Sequence, residues 1–170
     1  MRTTALAGFS LLALAACSST PKAPPAAPAP VSTAQQAVVM LASASGSRVS
    51  GKLTLAPMGD GVHISGEVGG LAPNGQFGFH VHEKGDCSAV DATSAGGATH
   101  HAGDMDNIVA DAGGVARVNV HLRGVTLGGG AANDIAGRAM IVHADPDDYH
   151  SQPAGNAGAR VACGTIKVTQ

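Results

Sequence analysis

The stretch RVSGKLTLAPMGDGVHISGEV, residues 48–68, decides the fold class of this 170-residue chain. Apolar side chains recur in it at mostly alternate positions on both sides of the turn sequence GDG: Val49, Leu53 and Leu55 before it, and Val62, Ile64 and Val68 after it. Successive side chains of a β-strand point to opposite faces, so this two-residue period indicates half-buried strands. The glycines between the two halves predict a tight connecting turn.

Short runs of the same β-type character continue through the chain: AVVMLAS (37–43), FGFHVHE (77–83), GVARVNVHL (114–122), RAMIVHA (138–144) and RVACGTIKV (160–168). After Ala37 no apolar 3.6-residue period persists for three helical turns. Seven or eight short strands separated by turn residues predict an all-β antiparallel sandwich or barrel. Two long segments, 87–112 and 144–158, carry no strand pattern, and loops of that length in a compact domain are usually functional.

The N-terminus has the pattern of an export signal. Arg2 precedes an apolar run from Ala5 to Ala16, which is too short to span a bilayer as a helix. The run ends in Leu-Ala-Ala followed by Cys17, which resembles the lipobox of bacterial lipoproteins. We therefore expect residues 1–16 to be a signal peptide and Cys17 to become a lipidated N-terminus in the cell envelope. The alternative is an ordinary signal peptide whose cleavage site contains a cysteine.

The segment after Cys17 reads SSTPKAPPAAPAPVSTAQQ and is nearly free of large apolar side chains. Such a segment cannot bury enough surface to fold, so residues 17–36 are expected to form a lipid-anchored, extended linker. Composition changes at Ala37, which predicts a single folded domain over residues 37–170. Several acyl chains on Cys17 would hold this domain durably on a membrane.

The charge and the cysteine content limit which partners the chain can bind and indicate how its cysteines are used. The net charge is −2, or −3 once the segment with Arg2 is removed, and the chain has one Tyr, three Phe and no basic run. Nucleic acid is therefore not expected as a partner. With Cys17 assigned to lipid, Cys87 and Cys163 remain, and an even pair in an exported domain predicts a disulfide. Two unpaired buried thiols are the alternative.

The eight histidines fall into three groups. His80 and His82 are two residues apart on one strand, so both imidazoles project from the same face, as a pair that chelates copper or zinc does. His143 ends another apolar strand and is a candidate third ligand, while His100, His101 and Asp104 form a second candidate cluster. The remaining three, His63, His121 and His150, are expected to lie on the surface.

Four motifs in one order identify a family resemblance: GFHVHEKGDCSAVDATSAGG, HHAGDMDNIVAD, GRAMIVHADPDDY and GNAGARVACGTI. From about Ala37 to the C-terminus the chain resembles the copper/zinc superoxide dismutases. The resemblance implies an eight-stranded antiparallel Greek-key β-barrel with two long functional loops. It also implies that superoxide is the substrate and that copper and zinc are the cofactors, and a homodimer is one oligomeric state left open.

The resemblance assigns roles position by position. The copper ligands it implies are His80, His82 and His143, the zinc ligands are His101 and Asp104, and the intrasubunit disulfide joins Cys87 to Cys163. Arg160 matches the arginine that docks superoxide beside the copper. Asp147 matches a carboxylate that links the copper and zinc ligand sets.

The stretch SAGGATHHAGDMDN, residues 94–107, departs from the family pattern. In the family a histidine that bridges copper and zinc and a second zinc histidine stand between the Gly-Gly pair and the His-x-Gly-Asp motif. Here Gly97 is followed directly by Ala98, Thr99, His100 and His101. We therefore expect a degraded zinc site, with His100, which matches no family ligand, as a candidate replacement.

The expected function is copper-dependent dismutation of superoxide in the cell envelope. A membrane-tethered copper-binding module without dismutase turnover is the second hypothesis, and an inert domain of the same fold is the third. Arg160 favours the enzyme, because copper storage gains nothing from a cation beside the metal.

Overall fold

The computed structural model describes residues 30–99, 105–152 and 154–170 of the chain. These ranges contain no α-helix, one 3₁₀ turn at Thr93–Ala95, and ten strands: β1 (Ala37–Ser43), β2 (Ser50–Met58), β3 (Gly61–Gly69), β4 (Gln76–Phe77), β5 (Phe79–His82), β6 (Ile108–Val109), β7 (Ala116–Arg123), β8 (Ala139–His143), β9 (Arg160–Thr165) and β10 (Lys167–Val168). The predicted all-β class is confirmed. The described part of the chain holds no helix with the length and apolar character needed to cross a membrane.

The predicted hairpin is formed by β2 and β3, which pair from Ser50 opposite Gly69 to Met58 opposite Gly61. Its turn contains Gly59 at φ 57°, a left-handed conformation that glycine adopts without steric cost. The alternating apolar side chains of both strands are buried. β1 and β7 flank the hairpin on its two sides, so these four strands form the first half of the barrel.

The second half contains β5, β8 and β9, and β1 joins the two halves. β1 pairs with β2 along most of its length, while its last residues, Ala42 and Ser43, pair with β9. The resulting order is β5-β8-β9-β1-β2-β3-β7, with β10 paired to β1 as the eighth strand of this sheet. Strands distant in sequence are thus spatial neighbours, in agreement with the expected eight-stranded Greek-key barrel.

Two local features differ from the pattern in the sequence. The run FGFHVHE divides at Gly78 into β4 and β5, because the Gly78 amide leaves the strand and donates to the Asp145 carbonyl at 2.9 Å. β6 lies within a segment that shows no strand pattern, and it pairs with β4 through Gln76 opposite Val109. A two-residue strand is too short to display a period, so only its partner reveals it.

The folded part of the chain begins ahead of the predicted boundary at Ala37. The amides of Thr33 and Ala34 both donate to the Leu127 carbonyl at 3.1 and 3.0 Å. Those of Gln35 and Gln36 donate to the carbonyl of Gln170 at 2.7 and 3.1 Å. This segment is attached by backbone hydrogen bonds rather than by large apolar side chains, so its composition did not signal that it belongs to the domain.

The predicted disulfide between Cys87 and Cys163 is confirmed and fastens the first long loop to β9. It closes a sequence separation of 76 residues, which is worth on the order of 4 kcal/mol in the chain-entropy model. A small second core surrounds it, made of Ala44, Ala92, Ala95, Ala139, Ile141 and Cys163. The loop that begins after β5 is therefore held over one face of β5 and β8, which buries the side chains on that face.

Candidate metal centre

Two neighbouring strands present the three buried histidines of the barrel. His80 and His82 project from the same face of β5, opposite the core residues Phe79 and Val81. β8 pairs antiparallel with β5 and places His143 at its end, where an irregularity in the β8–β9 register lies between Val142 and His143. All three imidazoles are at most 2% exposed. Such irregularities commonly re-aim a side chain beside a functional site.

The three imidazole rings converge on one point. One ring nitrogen from each of His80, His82 and His143 lies within 4.8 Å of the others, and this is the one such cluster found in the described ranges. The Nε2 atoms of His82 and His143 are 3.3 Å apart. Nitrogen ligands of a borderline divalent ion lie about 2.0 Å from it, so a single ion can span this separation. The predicted triad is therefore brought together.

The second nitrogen of each ring faces a hydrogen-bond acceptor. His82 Nδ1 lies 3.0 Å from the Gly96 carbonyl, and His143 Nδ1 lies 3.4 Å from the Gly158 carbonyl. His80 Nε2 lies 2.6 Å from a carboxylate oxygen of Asp147, and its Nδ1 is buried without a partner. If each outward nitrogen donates its N–H, each inward nitrogen keeps a lone pair. His80 Nδ1 has no hydrogen-bond partner in the part of the chain that the structure describes, as expected of a ring nitrogen that binds a metal ion.

Burial keeps the imidazoles of His82 and His143 neutral. It lowers the pKa of His82 to about 3, against a smaller opposing effect of its hydrogen bond to Gly96. It also lowers the pKa of His143 to about 4, and the positive charge of Arg160 lowers both pKa values further. Neutral imidazole is the form that binds metals, so no proton has to be removed from His82 or His143 near neutral pH.

Arg160 stands beside the triad at the start of β9, directly opposite His143 in the β8–β9 pairing. Its guanidinium donates to the carbonyls of Ala92 and Gly96, each at 2.7 Å. Gly96 also receives the bond from His82, so a single carbonyl joins the arginine to a member of the triad. Desolvation lowers the pKa of Arg160, and the nearby carboxylate of Asp91 opposes this effect. The arginine is thus fixed in place as a positive charge close to the imidazoles.

Asp147 is the carboxylate that orients His80, in the position that the sequence motifs indicate. Its neighbours were not predicted: the side chain of Asn107 and the backbone of Tyr149 both bind it. Gly155 is required beside it, because a Cβ there would collide with the Asp147 carboxylate. No spacing rule points to a single asparagine, and only the fold shows that Asn107 lies next to a residue 40 positions away.

The remaining histidines lie away from the triad or outside the described residues. His63 and His121 oppose each other on β3 and β7, facing away from the core, and His121 Nε2 lies 2.9 Å from Asp60. His150 is exposed in the second long loop. The predicted candidates His100, His101 and Asp104, and the predicted lipidation site Cys17, lie outside the described residues.

Comparison with known proteins gives a consistent set of relatives. Residues 49–166 match the family model described as copper/zinc superoxide dismutase (SODC). A Cu-Zn superoxide dismutase of Aquifex aeolicus (strain VF5) is 41% identical over 136 residues, which is 70% of this chain and 80% of that protein. A Cu-Zn superoxide dismutase of Caulobacter vibrioides (strain ATCC 19089 / CIP 103742 / CB 15) is 39% identical over 137 residues, covering 69% and 78% of the two chains.

Solved structures resemble the barrel in the same way. Crystal structures of a SOD-like protein from Bacillus subtilis, one of a double mutant and one of a single mutant, each align with a TM-score of 0.70 and 32% identity. Each alignment covers 76% of this chain, and 96% and 97% of the respective structures.

Proposed function

The chain belongs to the copper/zinc superoxide dismutase family, and from this membership we propose that it dismutes superoxide at a copper site formed by His80, His82 and His143. The reaction converts two superoxide anions and two protons into oxygen and hydrogen peroxide. One observation carries the proposal: three buried imidazoles turn one nitrogen each toward a common point. Three imidazoles suit copper in both of the oxidation states that dismutation requires.

Each residue of the site has a distinct part in this reaction. Copper, when bound, supplies the exchange of one electron with successive superoxide anions. His80, His82 and His143 hold it, and the acceptors Asp147, Gly96 and Gly158 fix the ring orientations. Arg160 attracts the small anion to the site, because a fixed positive charge beside low-dielectric walls raises the encounter rate.

We further propose that the zinc site is reduced to a remnant that catalysis does not need. This proposal rests on the sequence, in which Gly96 and Gly97 run directly into Ala98, Thr99, His100 and His101 without two of the family's histidines. His101 and Asp104 supply two of the four protein ligands that a closed zinc site normally has. The triad and the carboxylate that orients His80 do not depend on a bridging imidazole for any of the contacts described above.

Metal loading tests both proposals together. The metal-free domain would be loaded with copper alone, or with copper and zinc, and superoxide decay would be measured for each. We expect equal, copper-dependent decay in both states. Decay that appears only with zinc would refute the copper-only mechanism and indicate a rebuilt zinc site. If both states bind copper without accelerating decay, the protein is a copper-binding module instead.

The location in the cell envelope is a separate proposal. It is supported by the apolar run that ends in Leu-Ala-Ala-Cys17, and by the Pro- and Ala-rich segment that separates this cysteine from the barrel. Lipid on Cys17 would anchor the enzyme to a membrane and place the barrel in the periplasm.

Replacing Cys17 with Ser is expected to move the protein from the membrane fraction to the soluble fraction, because the thiol that accepts the lipid is gone. Cell fractionation with immunodetection measures the change, and Ser19→Ala, two residues away, serves as the control that should stay in the membrane fraction. A Cys17→Ser variant that remains in the membrane fraction would contradict the lipid anchor.

A further inference from the structure

Asp147 is fixed at the metal centre by more contacts than the one it makes to His80. Its carboxylate uses both oxygens: Oδ2 lies 2.6 Å from His80 Nε2, and Oδ1 accepts from the Tyr149 amide at 2.6 Å. The side chain is only 10% exposed. A carboxylate held at both oxygens has one orientation, and that orientation determines which nitrogen of His80 carries the proton.

Asn107 holds the backbone of the same residue at two points. Its side-chain amide donates from Nδ2 to the Asp147 carbonyl at 3.0 Å and accepts at Oδ1 from the Asp147 amide at 2.7 Å. Both ends of this short side chain thus bind the backbone of a single residue in another loop. Asp147 lies in the segment between β8 and β9, whose described residues form no strand. The two hydrogen bonds from Asn107 therefore fix the position and the rotation of its backbone.

A third contact connects the same two segments. The backbone amide of Asn107 donates to the Tyr149 hydroxyl at 3.0 Å, while the amide of Tyr149 caps the Asp147 carboxylate. Tyr149 has φ 60°, a left-handed conformation that is unusual for a residue with a large side chain. Surrounding contacts must stabilise such a backbone conformation, and the hydrogen bonds of Tyr149 to Asn107 and Asp147 do so.

We propose that Asn107 is a positioning residue of the copper site: it holds Asp147 so that His80 keeps its proton on Nε2 and offers Nδ1 to the metal. The inference rests on the proposed copper site, and it assigns a role that neither the sequence motifs nor the family match gives to this residue. Without Asn107 the Asp147 backbone loses two hydrogen bonds, its carboxylate gains alternative orientations, and the preference for the Nε2–H form of His80 weakens.

The test measures copper affinity rather than turnover. Asn107→Ala is expected to weaken Cu(II) binding, measured by competition with a chelator, by about 10–100-fold, the usual effect of removing an outer partner of a ligand. Asn119→Ala, an exposed asparagine on β7, is the matched control and should stay within about 2-fold of the wild type. Thermal unfolding of both metal-free variants shows whether the barrel is intact.

A double-mutant comparison separates positioning from general structural support. If Asn107 acts through Asp147, then in an Asp147→Ala background the further change Asn107→Ala should cost little additional affinity. In the metal-free protein, nitrogen NMR of His80 should report Nε2–H in the wild type and a mixture of the two tautomers in Asn107→Ala. The isosteric variant Asn107→Asp keeps the acceptor and loses the donor, so it should give an intermediate affinity even if the alanine variant folds poorly.

Two results would overturn the inference. One is wild-type affinity and an unchanged His80 signal in Asn107→Ala and Asn107→Asp. The other is full additivity of the Asn107 and Asp147 losses, which would make Asn107 a stabiliser without a specific route to the metal. Failure of the proposed copper site looks different, because then the wild-type protein itself would not bind copper through His80. Failure of dismutation alone would appear only in superoxide decay, which this test does not measure.

Discussion

Replacing His82 with Ala is expected to remove both copper retention and superoxide decay above the background of metal-free protein. His82 is fully buried, and its Nε2 is 3.3 Å from that of His143, so it contributes directly to the point where the three rings meet. The loss of copper affinity should exceed the roughly 10–100-fold that follows removal of a residue hydrogen-bonded to a ligand, because here the ligand itself is removed. Copper per chain after exposure to a weak chelator, together with stopped-flow superoxide decay, measures both effects.

His63→Ala is the control for this experiment. His63 is a partly exposed histidine on β3 that faces away from the core and lies outside the triad, so its removal should leave copper content and decay unchanged. A His82→Ala variant that retains one copper and wild-type decay would show that the metal binds elsewhere.

Replacing Arg160 with Ala is expected to slow the reaction with superoxide by about 10-fold or more while copper stays bound. Electrostatic focusing raises encounter rates by about 10–10³, and this guanidinium is the positive charge beside the triad that lowers the pKa of both His82 and His143. The rate in the variant should also depend less steeply on ionic strength, because the steering charge is missing.

A second variant distinguishes the charge of Arg160 from its contacts. Arg160→Lys keeps the charge but cannot reproduce the two bonds to Ala92 and Gly96 from one planar group, so it should recover part of the rate. Arg117→Ala, on the exposed face of β7, controls for loss of a positive charge far from the site. An unchanged rate and an unchanged salt dependence in Arg160→Ala would refute the steering role.

The sequence predicted those parts of the structure that follow a local period. The alternation in residues 48–68 predicted the β2–β3 hairpin, and the two-residue spacing of His80 and His82 predicted that both rings share a face. The pairing of Cys87 with Cys163 was predicted from the cysteine count and from the export that the N-terminal pattern leads us to expect, and the disulfide is present. Each of these inferences needs only residues that are close in sequence, or the fact that an even number of cysteines remains for pairing.

Other features depend on contacts between distant segments, and no local pattern encodes them. Asn107 approaches Asp147 only because the segment before β6 and the loop after β8 meet in the folded barrel. The attachment of Thr33 and Ala34 to Leu127 uses backbone groups, which every sequence has. The approach of His143 to His82 is set by the antiparallel pairing of β8 with β5. The strand pattern therefore offered His143 only as a candidate, and the family resemblance was needed to assign it as the third ligand.

Stopped-flow superoxide decay, measured as copper is titrated into the metal-free domain, tests the central claim most directly. Catalysis at the triad of His80, His82 and His143 predicts a rate that rises linearly until one copper is bound per chain and stays constant beyond that point. Zinc added alone should give no decay above the background of the metal-free domain. One copper bound per chain, with decay no faster than in the metal-free domain, would contradict the account.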